Sequence, residues 1–150
     1  MKTRIASLSL VINLANKNEI QLFPAGHFRA MDGRPEECPD GWFIDADIAT
    51  ALIAAAEERT TPYVLDYEHQ TLRAKNNGQP APASGWFKTL EWREGEGLFA
   101  TGVDWTEVAA AYIDKKEYRF ISPVFLYDTD GRVRTILHAA PTNTPALDDM

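Results

Sequence analysis

The reactive side chains of this sequence fall in a few short runs. Histidine ordinarily titrates near pH ~6.5, which suits it to proton transfer near neutrality. There are three: His27, His69 and His138. His69 ends the run Tyr63-Val64-Leu65-Asp66-Tyr67-Glu68 and opens a loop rich in Pro and Gly. Strand ends beside loops are common places for sites. Alternation along a strand puts Asp66 and Glu68 on one face and His69 on the other. Ser122 is a small hydroxyl in the apolar strand Tyr118-Arg119-Phe120-Ile121-Ser122-Pro123-Val124-Phe125. Pro123 cannot donate to a ladder, so the sheet breaks or has an edge there. Counting out from a turn at Asp130-Gly131 sets residue 122 about opposite residue 139, which brings His138 near Ser122.

A serine hydroxyl becomes a nucleophile when an imidazole accepts its proton, and a third polar group orients that imidazole. Asp66, Glu68 or a second histidine can serve as that third group. Spacing does not choose among them, and no G-x-S-x-G elbow is present. Each residue also has a plainer reading. Asp66, Glu68 and His69 read as a solvated strand end, Ser122 as an edge serine bonded to backbone, His138 as a cross-strand polar residue and His27 as a solvated loop residue.

The elements that must hold these residues are mostly strands. Apolar residues at Ala6, Leu8, Leu10, Ile12 and Leu14 alternate with Ser7, Ser9 and Asn13, the mark of a half-buried strand. Lys2 and Arg4 before this run loosely mimic a secretory leader, but the alternation reads as a first strand. A second strand, Glu19–Phe23, is expected to pair with it as a hairpin. Long loops are expected over 24–39 and 70–83. Asp45 caps a helix over Ala46–Arg59, and Thr106 caps another over Glu107–Lys115. Strands are expected at 63–67, 84–92, 98–105, 118–127 and 132–139, and a short segment at 42–44 leads into the Asp45 cap. Strands with isolated helices indicate an α+β domain built on a closed or nearly closed, mainly antiparallel sheet.

The chain has 150 residues, one domain's worth, with net charge −7. That balance argues against a general binder of nucleic acid or anionic membrane. No stretch approaches the ~18 apolar residues of a membrane span. Cys38 is the single cysteine, so an internal disulfide and a cysteine-based zinc site are excluded.

Four runs occur in order: Val64-Leu65-Asp66-Tyr67-Glu68-His69-Gln70, Ala83-Ser84-Gly85-Trp86, Tyr118 to Phe125, and Thr142-Asn143-Thr144-Pro145-Ala146-Leu147. Together they resemble the Mu-like prophage I protein family, the capsid maturation protease and scaffold of Mu-type phages. The resemblance implies a serine endopeptidase of the prohead-protease type, similar to herpesvirus assemblins, with a β-barrel flanked by helices. It implies action in the host cytoplasm inside the assembling phage head, with scaffold and capsid proteins as substrates, no cofactor, and room for a homodimer. It assigns His69 as catalytic histidine and Ser122 as nucleophile. Related proteases carry an acidic residue upstream of a Pro-Ala motif. His138, seven residues before Pro145, looks like that position and gives a Ser-His-His arrangement, with Asp66 and Glu68 as alternatives. Longer family members continue into a charged helical scaffolding segment, whereas this chain ends at Asp148-Asp149-Met150 as one protease domain.

The expected mechanism has His69 take the Ser122 proton, backbone N–H groups bind the oxyanion, and His138 orient His69. Arg119 is a candidate indirect support for the oxyanion, with a surface ion pair as its plainer role. Two other classes remain. One is a metal-dependent hydrolase with Asp66, Glu68, His69 and His138 as ligands. The other is a non-catalytic assembly module that keeps only the fold.

Overall fold

The computed structural model describes residues 3–8, 10–13, 15–29, 38–68, 70 and 82–143. His69 and the Thr144–Leu147 part of the fourth run lie outside the described residues, as do the tail beyond it and most of the loop over 70–83.

The largest sheet is built around a hairpin. Phe120–Asp128 (β11) and Val133–Thr142 (β12) pair antiparallel along nearly their whole length. Thr3–Ser7 (β1) and Leu10–Val11 (β2) pair with the other edge of β11 in a single register, Ser7 opposite Val124 and Leu10 opposite Ile121. Their pairings bracket Ser122 and Pro123, where the missing proline N–H weakens a ladder. Beyond β12 the order continues through Tyr63–Leu65 (β6), Gly85–Phe87 (β7) and Asp104–Trp105 (β10). The β12–β6 pairing is parallel, Ala139 opposite Leu65.

Ile20–Pro24 (β3) does not pair with β1 as the hairpin expectation had it. It pairs with Gly97–Thr101 (β9), which also pairs with Thr89–Arg93 (β8). The reason is packing. Leu22 and Phe23 are fully buried, and Leu98 on β9 joins them in the core. Gly97 permits this approach: at φ +140, a Cβ there would sit 1.9 Å from the Phe23 carbonyl oxygen. Gly26–Phe28 (β4), inside the expected 24–39 loop, pairs with Trp42–Ile44 (β5) as a third, two-stranded sheet.

Ala46–Glu58 (α1) begins where Asp45 accepts a hydrogen bond from Ile48 N–H, 2.9 Å, and buries Ile48, Ala49, Leu52 and Ala56. Glu107–Asp114 (α2) begins where Thr106 Oγ1 accepts from Ala109 N–H. These are the side-chain caps the sequence advertises. The described strands form sheets of seven, three and two. The architecture is α+β, mostly sheet with two helices, and it corrects the closed barrel: the described strands do not join into one cylinder. None of these helices is long and apolar enough to cross a membrane.

Ile121, Phe125, Tyr127, Ile136, Ala139 and Leu65 point into the main core with Trp42 and Phe23. T-shaped contacts of Phe125 with Phe23 and with Trp42 tie the hairpin to the smaller sheets, at ring separations of 5.0 and 5.1 Å. The alternate residues of these strands therefore face the other way.

Candidate active site

That second face carries the polar residues. Ser122 is opposite Ala140, one position further than the turn count gives. The difference is the sum of two effects: the hairpin closes with Tyr127 opposite Val133, one residue short of the count, and two irregularities then add two residues. The register shifts between Val124 and Phe125, and again between Leu126 and Tyr127, so β12 carries an extra residue at each place. Without them Ser122 would lie directly opposite His138. With them His138 lies opposite Val124, two residues along from Ser122 and on its face. Such diagonal neighbours are about 7–8 Å apart at the backbone, within reach of an imidazole.

Across the parallel pairing, Asp66 follows Leu65 and falls on the same face beside Ala140. Asp66 N–H donates to the Ala139 carbonyl, 3.1 Å, which extends the ladder past the strand's end. Its carboxylate Oδ2 is 3.8 Å from His138 Nε2, with the two side chains only 1% and 7% exposed. Both groups are thus removed from water on a face that Ser122, itself fully buried, shares. The Ser122 hydroxyl has no hydrogen-bond partner among the described residues. Most buried hydroxyls are bonded, because burying one alone is costly.

Burial lowers the His138 pKa from its ordinary 6.5, and the Asp66 carboxylate opposes that shift without cancelling it. The imidazole is therefore mainly neutral at pH 7. A depressed histidine pKa has a defined consequence for stability. Above about pH 6.5 neither the folded nor the unfolded imidazole binds a proton, and the contribution is complete. Below it the unfolded state binds protons first and stability falls toward the folded-state pKa. Stability of the wild-type chain should drop between pH 7 and 5, and His138→Gln should flatten that slope. Chemical denaturation at each pH measures it; parallel curves for the two proteins would refute the assignment.

Ser84, part of a run singled out in the sequence, has a positional task that its type did not announce. Fully buried, it donates from Oγ to the carbonyls of Asp66, 2.9 Å, and Leu65, 3.1 Å. It thereby holds the chain as it leaves β6. Glu68 follows with a left-handed backbone, φ +47, and donates its N–H to the Pro141 carbonyl. Its Oε1 accepts from Thr142 Oγ1 at 3.4 Å. Tyr67, Tyr112 and Tyr118 meet beside it, with ring separations of 5.7–6.2 Å. Burial, then the Glu68 charge, raises the Tyr118 pKa.

The other candidates part from this cluster. His27 is exposed on β4 against Phe43. Arg119 is exposed; its backbone N–H donates to Asn143 Oδ1 and its carbonyl accepts from Ile12 N–H. Among the described residues no three His, Cys, Asp or Glu side chains are grouped to hold a metal ion. His69 lies outside them.

A serine, a histidine and a carboxylate thus share one buried sheet face of an α+β scaffold, and relatives of the chain place it more narrowly. The chain belongs to the Mu-like prophage I protein family, whose N-terminal-domain model matches residues 20–150. It is similar to Protease I of Escherichia phage Mu, at 42% identity over 154 residues, covering 97% of this chain and 42% of that one. It is also similar to the Mu-like prophage FluMu I protein of Haemophilus influenzae, at 36% identity over 138 residues, covering 87% of this chain and 38% of the relative. The chain thus spans about two fifths of the length of these relatives. No solved structure matches.

Proposed function

We propose that this chain is the protease domain of a phage maturation enzyme: a serine endopeptidase that cleaves scaffold, and itself, inside the assembling head. The observation that carries this reading is Ser122. A fully buried hydroxyl without a partner among the described residues is an expensive feature, and it shares a sheet face with a histidine and a carboxylate. The name Protease I of the phage Mu relative supports the same class. A fold relation to the prohead proteases and assemblins is what the proposal implies.

In this mechanism Ser122 Oγ attacks the peptide carbonyl while His69 accepts its proton. The acyl-enzyme forms as the amine leaves with that proton, and water then releases the acid. Backbone N–H groups stabilise the oxyanion, each worth about 3–4 kcal/mol. His138 orients His69, and Asp66 in turn orients His138. A neutral His138 suits this role, since it can donate on one side and accept on the other.

The test is labelling with a fluorophosphonate, mapped by mass spectrometry, beside cleavage of a random peptide mixture. The expected result is a single adduct on Ser122 and turnover that resists chelation. Turnover lost on chelation and kept in Ser122→Ala would establish the metal hydrolase instead. Neither adduct nor turnover would establish the non-catalytic module.

Asp66→Asn tests the buried pair. Misplacing a catalytic group by about 1 Å costs about 10²-fold, so kcat should fall by that order with KM nearly unchanged. The His138 titration followed by NMR should move down as well, because the carboxylate that raises it is gone. An unmoved titration would remove Asp66 from the site.

A further inference from the structure

The register sorts the exposed apolar side chains of the large sheet as well. Ile5 is opposite Leu126 and Val11 opposite Phe120, positions that alternate with Ser122 on one face of β11. Trp86 is opposite Val64, two residues before Asp66 on that same face. Ile5 is 52%, Val11 66% and Trp86 41% exposed. All three therefore stand on the face of Ser122, His138 and Asp66, not on the core face. Single exposed apolar residues are ordinary, so what matters is which of them stands next to the serine.

Val11 is the one beside the serine. It lies one strand away and one row along, on the edge strand of the sheet. Phe120, its half-buried partner, precedes Ser122 by two residues. Diagonal neighbours of this kind lie about 7–8 Å apart. An extended peptide advances about 3.3 Å per residue, so a peptide whose scissile bond is at the serine can lay a side chain within two residues of it on a shelf formed by Val11 and Phe120. Ser122 is sealed while Val11 stands in solvent, so an arriving peptide meets the shelf first.

We infer that Val11 and Phe120 form an apolar specificity subsite, and that the substrate is a peptide with an aliphatic or aromatic side chain within two residues of the cleaved bond. This rests on the serine-peptidase reading. Apolar pockets discriminate modestly, about 10–200-fold per methylene, so the shelf sets a preference rather than an absolute rule.

A cleavage map of the random peptide mixture should show apolar enrichment within two positions of the cut. Val11→Asp should lower kcat/KM on apolar peptides at least about 10-fold. Val11→Lys should move the preference toward acidic residues. Fluorophosphonate labelling of Ser122 should stay within about 3-fold in both, because the probe needs no side-chain subsite. A map without apolar preference, or Val11→Asp indistinguishable from wild type, overturns the subsite while leaving the serine mechanism standing. Absence of labelling in the wild-type chain overturns both. If Val11→Asp instead turns a dimer into a monomer by light scattering with peptide preference unchanged, the shelf joins two copies and the subsite is rejected. Val11→Phe, which keeps the surface apolar, should retain the preference.

Discussion

Ser122→Ala should abolish peptide cleavage and at the same time make the protein slightly more stable. Loss of the nucleophile removes the acyl-enzyme route, so kcat/KM should fall at least about 10³-fold. Stability should move the other way. The hydroxyl is fully buried on β11 and has no partner among the described residues, so it loses its hydration on folding without recovering a bond there. Alanine fits beside Ala140 and Val124 with one atom fewer and no polar group to bury. A gain of about 1 kcal/mol is expected from the typical cost of an unbonded hydroxyl. In a 150-residue chain that raises Tm by about 2–4 °C. A hydroxyl kept at a cost to stability is what a chemical task produces. A serine with a structural bond would behave oppositely, its alanine variant being active and less stable. Calorimetry and the peptide assay on the same preparation decide between them. An active, destabilised Ser122→Ala would end the serine mechanism.

The parts of this molecule legible in the sequence were those set by neighbours along the chain. The first strand's described even residues do point inward, with Leu8 and Ile12 buried, Ala6 and Leu10 packed against the core and Val11 exposed. Asp45 and Thr106 do start the helices, because a cap is a contact across three residues. Pairing partners were not legible in the same way. β3 carries nothing that says it joins β9 rather than β1; Leu22 and Phe23 go where the core has room. The site shows the same division. Ser122 and the histidines stood out by type and by their resemblance to a family. That Ser122 and His138 share a face depends on where the hairpin closes, and their diagonal offset on two extra residues in β12; a count from the turn fixes neither. Asp66 was visible as a carboxylate, but its role beside His138 comes from the parallel β12–β6 contact between chain segments far apart.

Because the face of His138 depends on hairpin register, the turn should matter more than its surface position suggests. Asp128→Ala is expected to lower stability by about 3 kcal/mol. Asp128 is 2% exposed, and its Oδ1 accepts from the N–H groups of Asp130, 2.9 Å, and Arg132, 3.0 Å. Its Oδ2 accepts from Arg134 Nε at 2.8 Å. Hydrogen bonds to a charged group contribute about 1.5–3 kcal/mol, and truncation leaves the donors with a lost partner. The melting temperature should fall by about 6–12 °C. Gly131, at φ +87 and against the Gly41 carbonyl, has no freedom to compensate. The pH dependence gives a second reading. Burial alone would raise the Asp128 pKa, but the bonds from Arg132, Arg134 and Asp130 together hold it below the ordinary 3.8. A depressed carboxylate pKa stabilises above the unfolded value, and that contribution is lost as pH falls through the folded one. The gap in stability between wild type and Asp128→Ala should therefore be widest near pH 7 and narrow below pH ~4. Activity measured well below the variant's Tm should also fall, because a one-residue slip turns every side chain of β12 to the opposite face. A variant melting within about 2 °C of wild type would show that the buried cross-strand pairs, Phe125 with Ile136 and Val124 with His138, hold the register without the turn.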